Sequence, residues 1–353
     1  MTLRYIGSKA RVGEELSSFI GRHNGGRFVD AFCGMGSVAE QAANLGWPVA
    51  INDHLTYAVV MSAARLTSVA EAPFEALGGY AAAVDNLNGL MGKEGFIWRE
   101  YSPAAAHQSA VGIERRYFSE SNAARIDAVR TEIFDWHCAG LINETEQRVL
   151  VADLLGAANR VANIAGTYGC FLATWTAQSR GELSLRPRQL RVEPTGIEAR
   201  VGDVSDLAVR SEDTVYLDPP YTKRQYASYY HILETITLGD APVVEGVSGL
   251  RPWRHLASDF CYKRRALTAL STLIISMPAH RILLSYSSEG HVDLDDLTAA
   301  LQGVGDVTTY PLASIGRYRP NQTASDAGSS VREYLMVIDR QPEQQRATFG
   351  RRR

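Results

Sequence analysis

The run Asp218-Pro219-Pro220-Tyr221 puts a carboxylate, two ring-locked backbone positions and an aromatic ring into four consecutive residues. It directly follows Thr214-Val215-Tyr216-Leu217, an apolar stretch that reads as a buried strand, so the four residues leave a strand end together. Such a set suits one demanding task, making an aromatic amine nucleophilic. The lone pair of that amine is delocalised into its ring. Two hydrogen-bond acceptors, one for each N–H, draw the pair out and aim it. Asp218 offers a carboxylate and Pro219 a backbone carbonyl, while Pro220 stiffens the loop that carries them. Tyr221 offers a flat face for a base, and such stacking is worth about 1–3 kcal/mol per base. With an activated methyl group as the electrophile, positioning for in-line transfer supplies much of the acceleration. The plain alternative is a turn in which Pro-Pro stops a strand.

A second set is Asp30-Ala31-Phe32-Cys33-Gly34-Met35-Gly36-Ser37, at the mouth of the apolar run Arg27 to Phe32. Glycines there let a ligand approach the backbone closely. Gly34 and Gly36 form Gly-x-Gly without a third glycine, which favours an adenosylmethionine site over a pyrophosphate site. Asp53 ends the next strand-like run, Pro48 to Asn52, where a carboxylate accepts hydrogen bonds from ribose hydroxyls. A lone Gly-x-Gly is a weak signal, and the strand-terminal acid strengthens it. A nicotinamide oxidoreductase would also use the glycines and Asp53, but it leaves Asp218 to Tyr221 without a role.

Basic clusters form a third set: Arg186-Pro187-Arg188 with Arg191, Lys223-Arg224, Arg251 with Trp253 and Arg254, and Lys263-Arg264-Arg265. Phosphate binding needs such local charge. Solvated helix and loop faces are the stronger explanation of any one cluster taken alone. Lys223-Arg224 stands apart because it adjoins the proposed catalytic loop. Arg186, Arg188, Lys223, Arg224 and Lys263 are the candidate DNA contacts.

The bulk properties set bounds on these readings. The chain has 353 residues, 45% hydrophobic and 21% charged, with net charge -3. That supports a large core, and it excludes a uniformly basic nucleic-acid coat. The four cysteines, Cys33, Cys138, Cys170 and Cys261, include no Cys-x-x-Cys pair, and the histidines are scattered. No disulfide scaffold or metal site is expected, and the usage fits a reducing cytoplasm. No apolar run approaches the ~20 residues of a membrane span, and the first residues carry no apolar signal core.

The elements that must position these sets follow from the periodicity. Lys9 to Arg22 reads as a helix, Ser37 to Leu45 as another, and the first two strand-like runs flank the second of these. Strand, glycine turn, helix, strand and acid make half of a doubly wound nucleotide-binding sheet. Strand-like runs return at Ala199 to Val201, Thr214 to Leu217 and Arg281 to Ser285. Helices are expected over Lys263 to Ser276 and Leu294 to Leu301. Val307 to Pro311 and Glu333 to Ile338 suit a terminal hairpin. Between lie helical patterns, Ala123 to His137 and Glu144 to Val161, with few clear strands. The domains expected are a first catalytic part over 1–65, an inserted region over 66–195, a second catalytic part over 196–340 and a polar, disordered tail over 341–353.

Tyr5-Ile6-Gly7-Ser8-Lys9, Phe32-x-Gly34-x-Gly36, Asp53 and Asp218-Pro219-Pro220-Tyr221 occur in that order. Together they resemble the alpha group of adenine-N6 DNA methyltransferases, the DNA adenine methylase family, and within it the modification enzymes of restriction systems. Arg224-Gln225-Tyr226 through Tyr230-His231-x-x-Glu234, Ser285 to Gly290 and Arg332-Glu333-Tyr334-Leu335 fit the same family, and Asn163 to Trp175 resembles one of its segments near cofactor and DNA. The resemblance implies that Tyr5, Ser8 and Lys9, with Gly7 between them, help hold S-adenosyl-L-methionine. It implies that Phe32, Gly34 and Gly36 line the methionine side, bracketed by Asp30 and Ser37. Asp53 would take the ribose, and Asp203, with Val204 beside it, the cofactor's adenine ring. No part of residues 65 to 160 carries a motif of the family.

The expected fold is therefore α/β, a Rossmann-like S-adenosylmethionine-dependent methyltransferase with a mixed seven-stranded sheet and a mostly helical inserted target-recognition region. The long span between Asp53 and Asp203 is where that region fits. The expected reaction is direct methyl transfer to the N6 amine of an adenine flipped out of double-stranded DNA, without a metal. A cognate restriction endonuclease is the implied partner. A monomer or weak dimer in the cytoplasm is expected. The rivals are the same fold acting on cytosine N4 or on RNA adenine, and a catalytically silent nucleic-acid-binding protein.

Overall fold

The computed structural model describes residues 13–312 and 332–340. Seven strands, β1 (Phe28–Asp30), β2 (Val49–Asp53), β3 (Glu198–Val201), β4 (Thr214–Leu217), β5 (Arg281–Ser287), β6 (Asp306–Leu312) and β7 (Glu333–Asp339), form one sheet in the order β3-β2-β1-β4-β5-β7-β6. The first five strands run parallel, and β7 pairs antiparallel with both β5 and β6. This is the mixed seven-stranded sheet expected, with the last two strands paired as expected. The central strands are largely buried, as strands of a covered parallel sheet are. β4 is buried along its whole length, as is nearly all of β5.

The strand order reverses at β1. The chain steps outward through β2 and β3, then returns to lay β4 on the other side of β1. In open α/β sheets, ligands bind in the crevice outside the carboxyl ends of the strands at such a switch point. The exits of β1 and β4 are the glycine turn and the Asp218 loop. One face of the sheet carries a core that includes Val215, Leu217, Leu270, Ile274, Leu284, Tyr286, Leu297 and Met336.

The chain divides into two compact units. One contains the whole sheet and comprises the described residues of Ser8–His54, Thr195–Gln225 and Ala257–Arg353. The other comprises Leu55–Pro194 and Tyr226–Leu256. Its described part is helical. The helical unit thus reaches past the 66–195 span, taking in the helix Thr56–Leu66 and a segment that follows the Asp218 loop in sequence. Its centre is the helix Glu144–Val161, packed against Thr56–Leu66 and Glu120–Cys138. A capping box at Asn143 and Glu146 starts that helix, as its Asn-x-x-Glu spacing requires.

The first helix is described over Gly13–Ile20. The helix expected from Lys263 begins instead at Ala266. Lys263-Arg264-Arg265 would put three cations at the positive end of the helix dipole, a poor first turn. Among the described residues, no helix is long and apolar enough to cross a membrane.

Candidate active site

β1 ends at Asp30, and the chain turns through Gly36 into the helix Ser37–Asn44. The amide of Ala31 donates to Tyr216 O of β4 at 3.0 Å, and that of Cys33 to Asn52 O of β2 at 2.9 Å. Gly34 and Gly36 take φ of 48° and 73°, a left-handed conformation that strains any side-chain-bearing residue. Asp53 Oδ2 accepts the Gly34 amide at 3.1 Å, so the acid and the glycine turn are one structure. Phe32 is half-buried, edge-on to Phe260 at 5.7 Å between ring centroids, and Ser37 opens the helix.

A buried asparagine joins this turn to β3. Asn52 Nδ2 donates to Ala31 O and Gly202 O, each at 3.2 Å, and its Oδ1 accepts from Arg200 at 2.8 Å. The Gly202 amide donates to Asp53 O at 2.9 Å. Asp203 follows the glycine bonded to Asp53, and it caps the short turn Val204–Asp206 by accepting from Ser205 N and Oγ. Burial works to raise the Asp203 carboxyl, but the Ser205 hydrogen bonds hold it below the usual range. Val204 belongs to the sheet core. The sequence reading missed Asn52 and Arg200. The signal for Asn52 was a polar residue inside an apolar strand.

Across the switch point, Asp218 leaves β4 half-buried, Pro219 is buried, and Pro220 and Tyr221 are half-buried. The Tyr221 ring packs on Tyr286 of β5, with centroids 5.6 Å apart and planes tilted by 60°. Tyr286 is fixed in turn by the Val292 amide, which donates to its hydroxyl at 3.0 Å. The His291 amide donates to Tyr221 O at 2.9 Å. Tyr286, in the Ser285 to Gly290 stretch, thus supports the Tyr221 ring. Asp30 is almost fully buried, and its carboxyl is pushed up to about 8, first by burial and then by the charges of Asp218 and Asp53.

The basic residues divide in use. Lys223 and Arg224 are exposed. Gln225 exchanges hydrogen bonds with the Ser258 backbone at 3.4 and 3.0 Å, and Cys261 Sγ donates to Arg224 O at 3.3 Å. The exposed Lys263-Arg264-Arg265 run is therefore tied to Lys223-Arg224, although forty residues separate them in sequence. Arg265 pairs with Asp259 at 2.9 Å. Arg186 is exposed, but Arg188 is not available as a phosphate contact: its guanidinium binds the fully buried Asp153 at 2.8 Å, and Tyr80 binds the same carboxylate. Arg251 is likewise held by both oxygens of Asp240. Tyr5, Gly7, Ser8 and Lys9, and the tail from 341, lie outside the described residues.

Within the helical unit, the Tyr230-His231-x-x-Glu234 motif has a structural job. Glu234 accepts the amides of Thr56 and Tyr57 at 3.0 and 2.9 Å, capping the helix Thr56–Leu66 from a distance. His231 is buried and pushed down to about 3, chiefly by burial, so its ring is neutral; Nε2 donates to Tyr168 O at 2.9 Å. Asn163, fully buried, binds Leu172 O and accepts from Thr176 N and Ser179 Oγ, which folds the 163–179 segment onto itself.

Comparison with known proteins bears on what this arrangement serves. A family model described as D12 class N6 adenine-specific DNA methyltransferase matches residues 5–299. The chain is 31% identical over 347 residues to Type II methyltransferase M.FokI of Planomicrobium okeanokoites, and 30% identical over 364 residues to Modification methylase StsI of Streptococcus sanguinis. These alignments cover 96% and 99% of this chain but 53% of each relative, so the chain spans about half their length. Type II methyltransferase M.NlaIII of Neisseria lactamica is 29% identical over 348 residues, covering 96% of this chain and 99% of that protein. No solved structure gives a significant match. The match from residue 5 to residue 299 takes in both strand exits and the helical segments between them in the chain, and on that extent the chain belongs to the D12 class N6 adenine-specific DNA methyltransferase family.

Proposed function

We propose that this chain transfers a methyl group from S-adenosyl-L-methionine to the N6 amine of an adenine flipped out of double-stranded DNA, at a sequence read by the helical unit. The observation that carries the proposal is the juxtaposition at the switch point. The Asp218 loop leaves β4 immediately beside β1, whose exit is the Gly34–Gly36 turn tied to Asp53. The residues fit the cofactor: a left-handed glycine turn that keeps side chains away, a strand-terminal acid for ribose, and a buried Asp30 oxygen with no hydrogen-bond partner. Gly34 and Gly36 would admit the methionine end, Asp53 would bind the ribose hydroxyls, and Asp203 would face the adenine ring.

The bound donor supplies a methyl group already activated by its sulfonium. The rest of the work falls to the protein. Asp218 and the Pro219 carbonyl accept the two N–H bonds of the target amine and aim its lone pair. As positive charge develops on that nitrogen, the Asp218 carboxylate stabilises it more than it stabilises the ground state. Tyr221, braced by Tyr286, stacks on the extruded base. Lys223, Arg224 and Lys263 lie on one tied segment next to this loop and would hold phosphates; Arg186 is a separate candidate on the helical unit. A restriction endonuclease acting on the same sequence would be the partner in the cell.

The test is methylation of duplex DNA with a tritiated donor, followed by single-molecule sequencing of DNA from cells expressing the protein. N6-methyladenine in one recurring context is the expected result. Label on cytosine, label on RNA alone, or donor binding with no turnover on any DNA would overturn the reading.

A further inference from the structure

Three carboxylates stand at the ends of three adjacent parallel strands: Asp53 on β2, Asp30 on β1 and Asp218 just past β4. Asp30 pairs in register with Ile51 and Tyr216, so Asp53 and Asp218 each lie two residues beyond it on either side. Asp30 is 1% exposed, and its Oδ1 has no hydrogen-bond partner. The amides of Phe32 and Ala39 favour its charged form, but the ionised groups acting on it most strongly are Asp218 and Asp53, both anions. Among the described residues, no group of acidic, His or Cys side chains is arranged to hold a metal ion. An anion so placed is costly. Burial first, and then the two neighbours, push the carboxyl to about 8, which favours its protonated form at neutral pH in the ligand-free protein.

We propose that Asp30 couples methyl-donor binding to proton release: the cationic donor expels the proton, the neutral thioether product lets it return, and the pocket thereby tells donor from product by charge. The inference rests on the reading above, that adenosylmethionine occupies the turn between β1 and β2. Donor and product have nearly the same shape and differ by a methyl group that carries one positive charge. A protonated Asp30 is indifferent to that charge. An ionised Asp30, almost fully buried between two other carboxylates, favours it.

Donor binding and Asp30 ionisation are linked. The donor prefers the ionised form, so its affinity falls by up to tenfold for each pH unit below about 8, and it levels off above that. The product prefers neither form, and its affinity stays flat through the same window. A group with a pKa of about 8 is about nine-tenths protonated at pH 7, so donor binding should release close to one proton there.

The experiment is calorimetric titration of the full chain near pH 7 with S-adenosylmethionine and with S-adenosylhomocysteine. Each titration is run in two buffers of different ionisation enthalpy, and the series is repeated from about pH 6 to pH 9. The wild type is expected to release about 0.9 proton more with donor than with product. Asp30→Asn should abolish the difference and flatten the donor-to-product affinity ratio across pH. Repeating the same ligands on the variant cancels the ligands' own titration. An analogue with an amine in place of the sulfonium should behave as the donor does on the wild type, which keeps the test independent of the variant's folding. Equal release with donor and product, or release that persists in folded Asp30→Asn, would overturn the proposal. A donor that fails to bind at all would instead refute the cofactor reading on which the proposal stands.

Discussion

Asp53→Ala separates two tasks, the hydrogen bond to Gly34 that the structure shows and the ribose contact that the proposed function assigns. One carboxylate oxygen accepts the Gly34 amide at 3.1 Å, and under the proposed function the side chain also binds the donor's ribose hydroxyls. A hydrogen bond to a charged group contributes about 1.5–3 kcal/mol, so removing the ribose hydrogen bond should weaken donor binding by roughly 10- to 150-fold. Gly34 is buried, and stranding its amide costs a further ~1–3 kcal/mol, which should appear in the stability of the apo protein. Asp53→Asn keeps an acceptor for Gly34 but removes the charge. It should therefore retain most of the stability while losing most of the affinity. Calorimetry with the donor and urea unfolding without it measure the two losses separately. A folded Asp53→Ala with unchanged donor affinity would remove Asp53 from the site. Asp53→Asn as unstable as Asp53→Ala would show that the charge, and not the acceptor geometry, holds the turn.

Asp218→Ala should cost on the order of 10²–10³ in single-turnover methyl transfer while leaving donor affinity little changed. Tyr221→Ala should also weaken retention of the flipped base, read by 2-aminopurine fluorescence at the target, and Tyr221→Phe should restore most of it; a dead Tyr221→Phe would mean that the hydroxyl, not stacking, matters. Substituting Lys223, Arg224 and Lys263 by Ala should lower the slope of log affinity for duplex DNA against log salt by about 0.9 for each phosphate that is no longer neutralised. Arg188→Ala should leave that slope alone and cost about 3–5 kcal/mol in urea unfolding, because it strands the buried Asp153. Glu234→Ala should destabilise the fold by about 1–3 kcal/mol for each of the two amides it leaves without an acceptor, and Glu234→Gln should recover part of that.

Much of the sheet was legible because its signals are local. The run Thr214–Leu217 forms a strand with the bounds its apolar pattern predicts, and the helix Glu144–Val161 starts at its capping box and ends where its periodicity does. Glycines at 34 and 36 demand a turn wherever they occur, and the Asp218 loop must follow a strand that ends at Leu217. Each of these is a property of a short window: periodicity, capping or backbone freedom. The family resemblance rests on the same windows in order.

What the tertiary structure alone decided are the partners. Asp53 is tied to Gly34, 19 positions away, and Glu234 caps a helix that begins 178 positions before it. Arg188 looked like a phosphate ligand until the fold set it on Asp153, 35 positions away, in a buried pair. The segment Tyr226–Leu256 follows the Asp218 loop in the chain but folds with the helical unit. Lys223 and Lys263 became parts of one basic segment only through Gln225, Ser258 and Cys261. Burial raises the Asp30 carboxyl first, and two carboxylates that arrive on neighbouring strands raise it further. No window around any of these residues carries that information. A side chain's burial and electrostatic environment are set by groups distant in sequence, and those groups meet only when the sheet and the helices close around them.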